Sequence, residues 1–161
     1  MPPFSVKHVK KQMQLSRNLS FKYFNTAMSK IISLSEAASI AVHSMVLIAS
    51  ARESLNVIKI SERTGASKHH AAKILQRLVK EGFLNSNRGP SGGFMLRIPA
   101  ANITLLQVYE AIEGKLDEAT CPVDNPVCSF KKCLMGNIVS KMTQEFRKYM
   151  SSQTLSEFIG D

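Results

Sequence analysis

The residues best equipped for chemistry are three cysteines, Cys121, Cys128 and Cys133, gathered within thirteen positions of a 161-residue chain that has no others. Thiolates bind soft or borderline cations: zinc, copper(I), or iron in clusters. The spacing, Cys121-x6-Cys128-x4-Cys133, is wider than the C-x2–4-C of common structural zinc sites and is no CxxC redox motif. A cluster spans more space than a single ion and suits the wider spacing, and Pro122 and Pro126 stiffen the loop between the thiols. An odd count closes no disulfide framework. Residues 1–27 lack the sustained apolar stretch of a secretory signal. The expected compartment is therefore the cytoplasm, where clustered thiols are more often metal sites or redox switches. Three incidental thiols are the bland alternative, but free cysteine is usually buried and scattered rather than grouped in a polar loop.

Iron–sulfur clusters usually take four protein ligands. The candidates for a fourth are Asp124 within the loop, and Glu36, Ser39 or His43 on the first helix, of the same copy or of a second one. His43 lies inside an apolar run, where a histidine is more often a satisfied core residue than a ligand.

Several elements must position this loop. Ser33 or Ser35 can cap a helix running to about Arg52, with Ala38, Val42, Met45, Val46 and Ala49 at helical spacing. A short helix over 59–64 ends at Gly65. Ser67 then caps a third helix, 68–81, whose apolar stripe is Ala71, Ile74, Leu75, Leu78 and Val79. His69, Lys73, Gln76 and Lys80 share its opposite face, with no acid before Glu81. A short helix, a tight glycine turn and a basic helix make the helix-turn-helix arrangement. Its candidate DNA contacts are Ser67, Lys68, His69, His70, Lys73, Gln76 and Arg77; the alternative is an ordinary solvated face.

Two short runs, 83–87 and 94–98, flank Arg88-Gly89-Pro90-Ser91-Gly92-Gly93 and read as a β-hairpin placed where a winged helix carries its wing. Arg88, Gly89 and Ser91 at the tip are candidates for phosphate or minor-groove contact. A nucleotide cradle is excluded, because the Lys-Ser/Thr of a P-loop and a surrounding βαβ unit are both missing. Thr104 and Gln107 form a T-x-x-Q capping box that opens a helix ended by Gly114. The cysteine loop follows. A last helix over 134–150 carries the stripe Leu134, Ile138, Met142, Phe146 and Tyr149, which must be buried on its own domain or on a second copy. Residues 151–161 are expected to be loosely ordered.

The net charge is +9, and it is unevenly spread. Residues 1–33 hold six basic groups and no acid, 34–114 hold nine against six, and 115–161 are balanced at six each. Such a basic N-terminal two-thirds fits a polyanionic partner such as nucleic acid, although charge alone also fits a solubilising surface. The longest apolar stretch, 37–51, is fifteen residues and contains His43, short of the roughly 20 a membrane span needs. With 44% hydrophobic residues and no Trp, the composition suits a mainly α protein with aliphatic packing. The expected organisation is a basic extension over 1–30, a winged helix-turn-helix over 31–98, a helix and sensor loop over 99–133, and a dimerisation helix and tail over 134–161. For 1–27, a mis-assigned start upstream of Met28 is the first expectation, a DNA-grazing arm the second and a transit peptide the third.

Taken together, ISLSEAASIAVHSMVLIA, ISERTGASKHHAAKILQRLVKEGFL, NSNRGPSGGFMLRIPAANITLLQVYEAIEG and the three-cysteine loop resemble the Rrf2 family of winged-helix regulators, IscR- and NsrR-like members in particular. The most specific part is R-G-P-x-G-G-[FY]-x-L, met by Arg88 to Leu96. The resemblance implies a homodimer reading a near-palindromic operator in double-stranded DNA. It also implies a 2Fe–2S or 4Fe–4S cluster on Cys121, Cys128 and Cys133, whose loss, oxidation or nitrosylation changes DNA affinity. This chain departs from the pattern at two points and matches another member at a third. Leu134-Met135-Gly136 stands where IscR-like members place a histidine, Ser39 stands where NsrR-like members use an acid from the partner's first helix, and His43 lies one turn later, where another member uses a histidine. Ala72 replaces the acid that tunes site choice in IscR-like recognition helices.

The expected function is a DNA-binding transcriptional regulator, a repressor, sensing nitric oxide, redox state or iron–sulfur status. The alternative is a winged-helix regulator using the same cysteines as a thiol switch or zinc site. Catalysis is not expected. There is no nucleophile–base pair, no HExxH and no carboxylate pair in a recognisable setting. His69 and His70 are adjacent on a helix, so they diverge and cannot face one ion.

Overall fold

The computed structural model describes residues 34–89, 92–116 and 134–160. The chain divides into two units, one formed by 1–31 and 119–140, the other by 32–118 and 141–161. The second is mainly helical with one hairpin, and it contains the core described below.

Local signals start and stop its helices. Helix α1, Glu36–Ala49, is capped by Ser35, whose hydroxyl accepts from the Ala38 amide at 3.1 Å. Helix α2, Val57–Thr64, is capped by Asn56, which accepts from Lys59 N at 2.9 Å, and closes at Gly65. Helix α3, Lys68–Lys80, is capped by Ser67. Ala38, Ala41 and Met45 of α1, Ile60 of α2, and Ala71, Leu75 and Leu78 of α3 are fully buried. Burial of these aliphatic faces, rather than helix propensity, supplies most of the stability of helices this short.

Strands β1, Leu84–Asn87, and β2, Gly93–Leu96, pair antiparallel, with Leu84 opposite Leu96 and Asn87 opposite Gly93. Leu84 and Phe94 put one face of the hairpin into the core, while Asn85, Asn87 and Met95 are exposed on the other. A third segment joins the hairpin, because Leu55, in the link between α1 and α2, exchanges backbone hydrogen bonds with Phe94 at 2.9 and 3.0 Å. The hairpin is thereby fastened to the helix-turn-helix body.

Helix α4, Leu105–Glu113, opens with the capping box of Thr104 and Gln107 and is followed by Gly114. Helix α5 is Ile138–Ser152. It starts later than the spacing predicts, since Gly136 and Asn137 both take positive φ, 55° and 61°, and residues 134–137 form a turn. Two successive left-handed residues cannot continue a right-handed helix.

The tail also differs from expectation. Leu155 is fully buried and begins a 3-10 turn, Leu155–Phe158. Its amide donates to Ile103 O at 2.9 Å, and Leu105 N donates to Gln153 O at 2.9 Å, stitching the tail to the start of α4. Thr154 and Glu157 cap this turn with a T-x-x-E box, the same local signal that opens α4. Among the described residues, no helix is long and apolar enough to cross a membrane.

Candidate nucleic-acid interface and cysteine segment

The buried stripe of α3 fixes which of its side chains face outward. With Ala71, Ile74, Leu75 and Leu78 inside, Lys68, His69, Lys73, Gln76, Arg77 and Lys80 are all exposed. None of the side chains of Lys68, Lys73, Arg77 and Lys80 forms a hydrogen bond or ion pair with the described residues. Four unpaired cations on one short helix form a surface suited to phosphates, and its polar groups are free to reach base edges. Ser67 spends its hydroxyl oxygen on the His70 amide at 3.2 Å, which leaves its O–H available to donate. His70 is the exception in this set. It is half-buried, and its Nδ1 lies 3.9 Å from Glu36 Oε1 at the start of α1.

At the wing, Arg88 and Gly89 are exposed and Ser91 lies outside the described residues. Gly92 N donates to Gly89 O at 2.9 Å, tightening the tip. The exposed outer face of the hairpin adds Asn85, Met95 and Arg97, which sequence reasoning passed over. The signal that could have found them is the two-residue period of strand side chains, which sets Asn85, Met95 and Arg97 on the face opposite Leu84 and Phe94.

All three cysteines, Cys121, Cys128 and Cys133, lie outside the described residues, as does Asp124. Among the described residues, no three metal-ligating side chains converge. The remaining ligand candidates sit on α1. Glu36 faces His70. Ser39 is half-buried, and its carbonyl oxygen accepts from His43 Nδ1 at 2.7 Å. Nδ1 donates in that bond, and Nε2 lies on the exposed ring. His43 also lines an apolar pocket of about 330 Å³ together with Val42, Val46, Leu47, Arg63, Leu105 and Phe158.

The apolar stripe of the last helix is split. Ile138, Met142 and Tyr149 are exposed, as is Leu134 in the preceding turn. Phe146 is half-buried and turned to its own unit, where its ring meets Tyr109 edge-on at 5.2 Å and 70°.

Comparison with known proteins agrees with this geometry. Residues 34–161 match the Rrf2 family, described as iron-dependent transcriptional regulators. The transcriptional regulator IscR of Klebsiella pneumoniae is 28% identical over 102 residues, a match spanning 63% of this chain and 63% of IscR. Among solved structures, CymR, the global cysteine regulator of B. subtilis, superposes with a TM-score of 0.64 at 17% identity, covering 80% of this chain and 96% of CymR. The IscR of T. potens gives 0.62 at 20% identity, covering 78% and 85%. A hairpin locked beside a capped helix with an unpaired cationic face, and a family match over most of the sequence, lead to one assignment: the chain belongs to the Rrf2 family, a winged helix-turn-helix transcriptional regulator that binds DNA and is not an enzyme.

Proposed function

We propose that this regulator acts as a homodimeric repressor carrying an iron–sulfur cluster on Cys121, Cys128 and Cys133, and that the state of the cluster sets its grip on an operator. The observation that carries the reading is the placement of His43. Its ring is exposed, its Nδ1 is committed to the Ser39 carbonyl, and its Nε2 is left open. A metal-ligating histidine is normally fixed through its other ring nitrogen in this way. Three thiolates and one imidazole make a donor set suited to iron in a cluster. Of the three candidates on α1 we assign His43 over Ser39, which offers only a neutral hydroxyl, and over Glu36, whose carboxylate lies 3.9 Å from His70; Asp124, within the cysteine loop, is the rival ligand. When bound, the cluster supplies a centre that responds to nitric oxide, oxidants and iron–sulfur supply.

The dimer is supported by the exposed apolar side chains Leu134, Ile138, Met142 and Tyr149, which a second copy would cover. The test is elemental and optical analysis of anaerobically purified protein, with operator binding measured alongside. Iron with acid-labile sulfide, lost in Cys128→Ala and weakened in His43→Ala, supports the proposal. Iron-free protein in which the same cysteines hold zinc, or form disulfides on oxidation with a change in DNA affinity, establishes the thiol-switch or zinc reading instead.

A further inference from the structure

The DNA-reading unit contains a polar path that helix packing alone does not require. Ser35 has two partners. Its hydroxyl oxygen accepts from Ala38 N, capping α1, and its O–H donates to Glu113 Oε1, a bond between residues 78 apart in sequence. Glu113 is the last residue of α4. One turn earlier, Glu110 Oε1 accepts from the amide of Leu116 at 3.1 Å, and Leu116 is itself buried. The two carboxylates at the end of α4 therefore hold the point where the chain leaves for the cysteine segment. Next to Ser35, Glu36 reaches His70 on the first turn of α3, and the His70 amide donates to the Ser67 cap.

We infer that Ser35 and Glu113 form a latch that transmits a change in the segment beyond Gly114 to the N-terminus of the recognition helix. Both are positioning residues and neither is placed against DNA. The inference rests on the proposed sensing role of the cysteine segment. A pull on Leu116 acts on Glu110 and the end of α4 and draws Glu113 away from Ser35. Ser35 then loses a charge-assisted hydrogen bond. The first turn of α1 loosens, Glu36 shifts from His70, and the start of α3 is altered where Ser67, Lys68 and His69 present themselves to phosphate. Contiguity motivates the path, and coupling must be measured to establish it.

The experiment uses the full chain and a duplex selected by the wild-type protein from a random-sequence pool. Affinity is measured anaerobically for the iron-loaded and metal-free forms. Allosteric couplings typically correspond to affinity ratios of about 5- to 150-fold. Glu113→Ala, which keeps the Ser35 oxygen that accepts from Ala38 N, is expected to bring the ratio to within about twofold of unity, with both forms at the affinity that the wild type shows when the latch is open. Glu113→Gln keeps an acceptor and restores most of the ratio. Ser35→Ala combined with Glu113→Ala is expected to lose no more than the larger single effect, as for two members of one interaction. Ser35→Thr retains the hydroxyl and the response. A folded Glu113→Ala variant with the wild-type ratio overturns the latch and leaves the proposed function standing. A wild-type ratio of one overturns both.

Discussion

Gly93 lies so close to Leu55 that a Cβ on it would stand 2.7 Å from the Leu55 carbonyl carbon and 2.8 Å from its oxygen. These are backbone atoms in the link between α1 and α2, and they cannot swing aside as a side-chain tip could. The close approach lets Leu55 and Phe94 exchange two hydrogen bonds, and it fixes the wing relative to α3.

Gly93→Ala is accordingly expected to lift the hairpin from the body. Overpacking of this kind costs about 1–3 kcal/mol. Thermal melting should show the loss of stability, and gel-shift titration should show weaker operator binding. An unchanged melting curve with full affinity would contradict the role given to the Leu55–Phe94 bridge.

Ser44 predicts an effect of the opposite sign. Its hydroxyl is buried within α1 and has no hydrogen-bond partner among the described residues. An unsatisfied buried hydroxyl is a standing cost, and alanine is the better helix former. Ser44→Ala should raise stability by about 1 kcal/mol, or about 2–4 °C in Tm for a chain of this size. Calorimetry of the two proteins decides it.

The exposed cations predict a salt signature. Lys73→Ala and Arg88→Ala should each weaken DNA binding by a similar factor on specific and random duplexes. Each should also flatten the dependence of log affinity on log salt by about 0.9 for every phosphate that is no longer neutralised. A weakening confined to one sequence, with the slope unaltered, would mark the residue as a base reader instead.

Within α5, neighbouring apolar positions should fail in different ways. Phe146→Ala removes a ring packed on Tyr109 and should lower stability by about 2–3 kcal/mol. Met142→Asp, on an exposed position, should leave the melting transition of the unit nearly intact and shift the protein toward monomer in analytical ultracentrifugation. Dimeric Met142→Asp protein would place the interface elsewhere.

These contrasts show what the sequence disclosed and what it withheld. Ser67, Thr104 with Gln107, and Gly65 announced helix ends correctly, because capping is settled within four residues of chain. The buried stripe of α3 followed from its period, and with it the outward set from Lys68 to Lys80. Phe146 and Tyr149 share one apolar stripe but meet different surroundings, which only Tyr109, far away in sequence, could reveal. The bond between Ser35 and Glu113 has no local trace at either end. The turn before α5 was hidden in another way, since Leu134 fits the helical period and only the backbone of Gly136 and Asn137 breaks it. The buried tail was legible in principle, because Thr154 and Glu157 repeat the T-x-x-[QE] pattern read at Thr104. The cysteines and Asp124 lie outside the described residues, so their chemistry rests on spacing and family membership.

The stitching of Leu155 to Ile103 has a topological result. The chain after α5 returns to the start of α4, so the unit formed by 32–118 and 141–161 is closed by bonds between its own two stretches. In sequence, the cysteines fall between the two stretches that make up this unit rather than after them. None of the residues that make these closing bonds lies among the cysteines, so the packing they complete does not draw on that stretch.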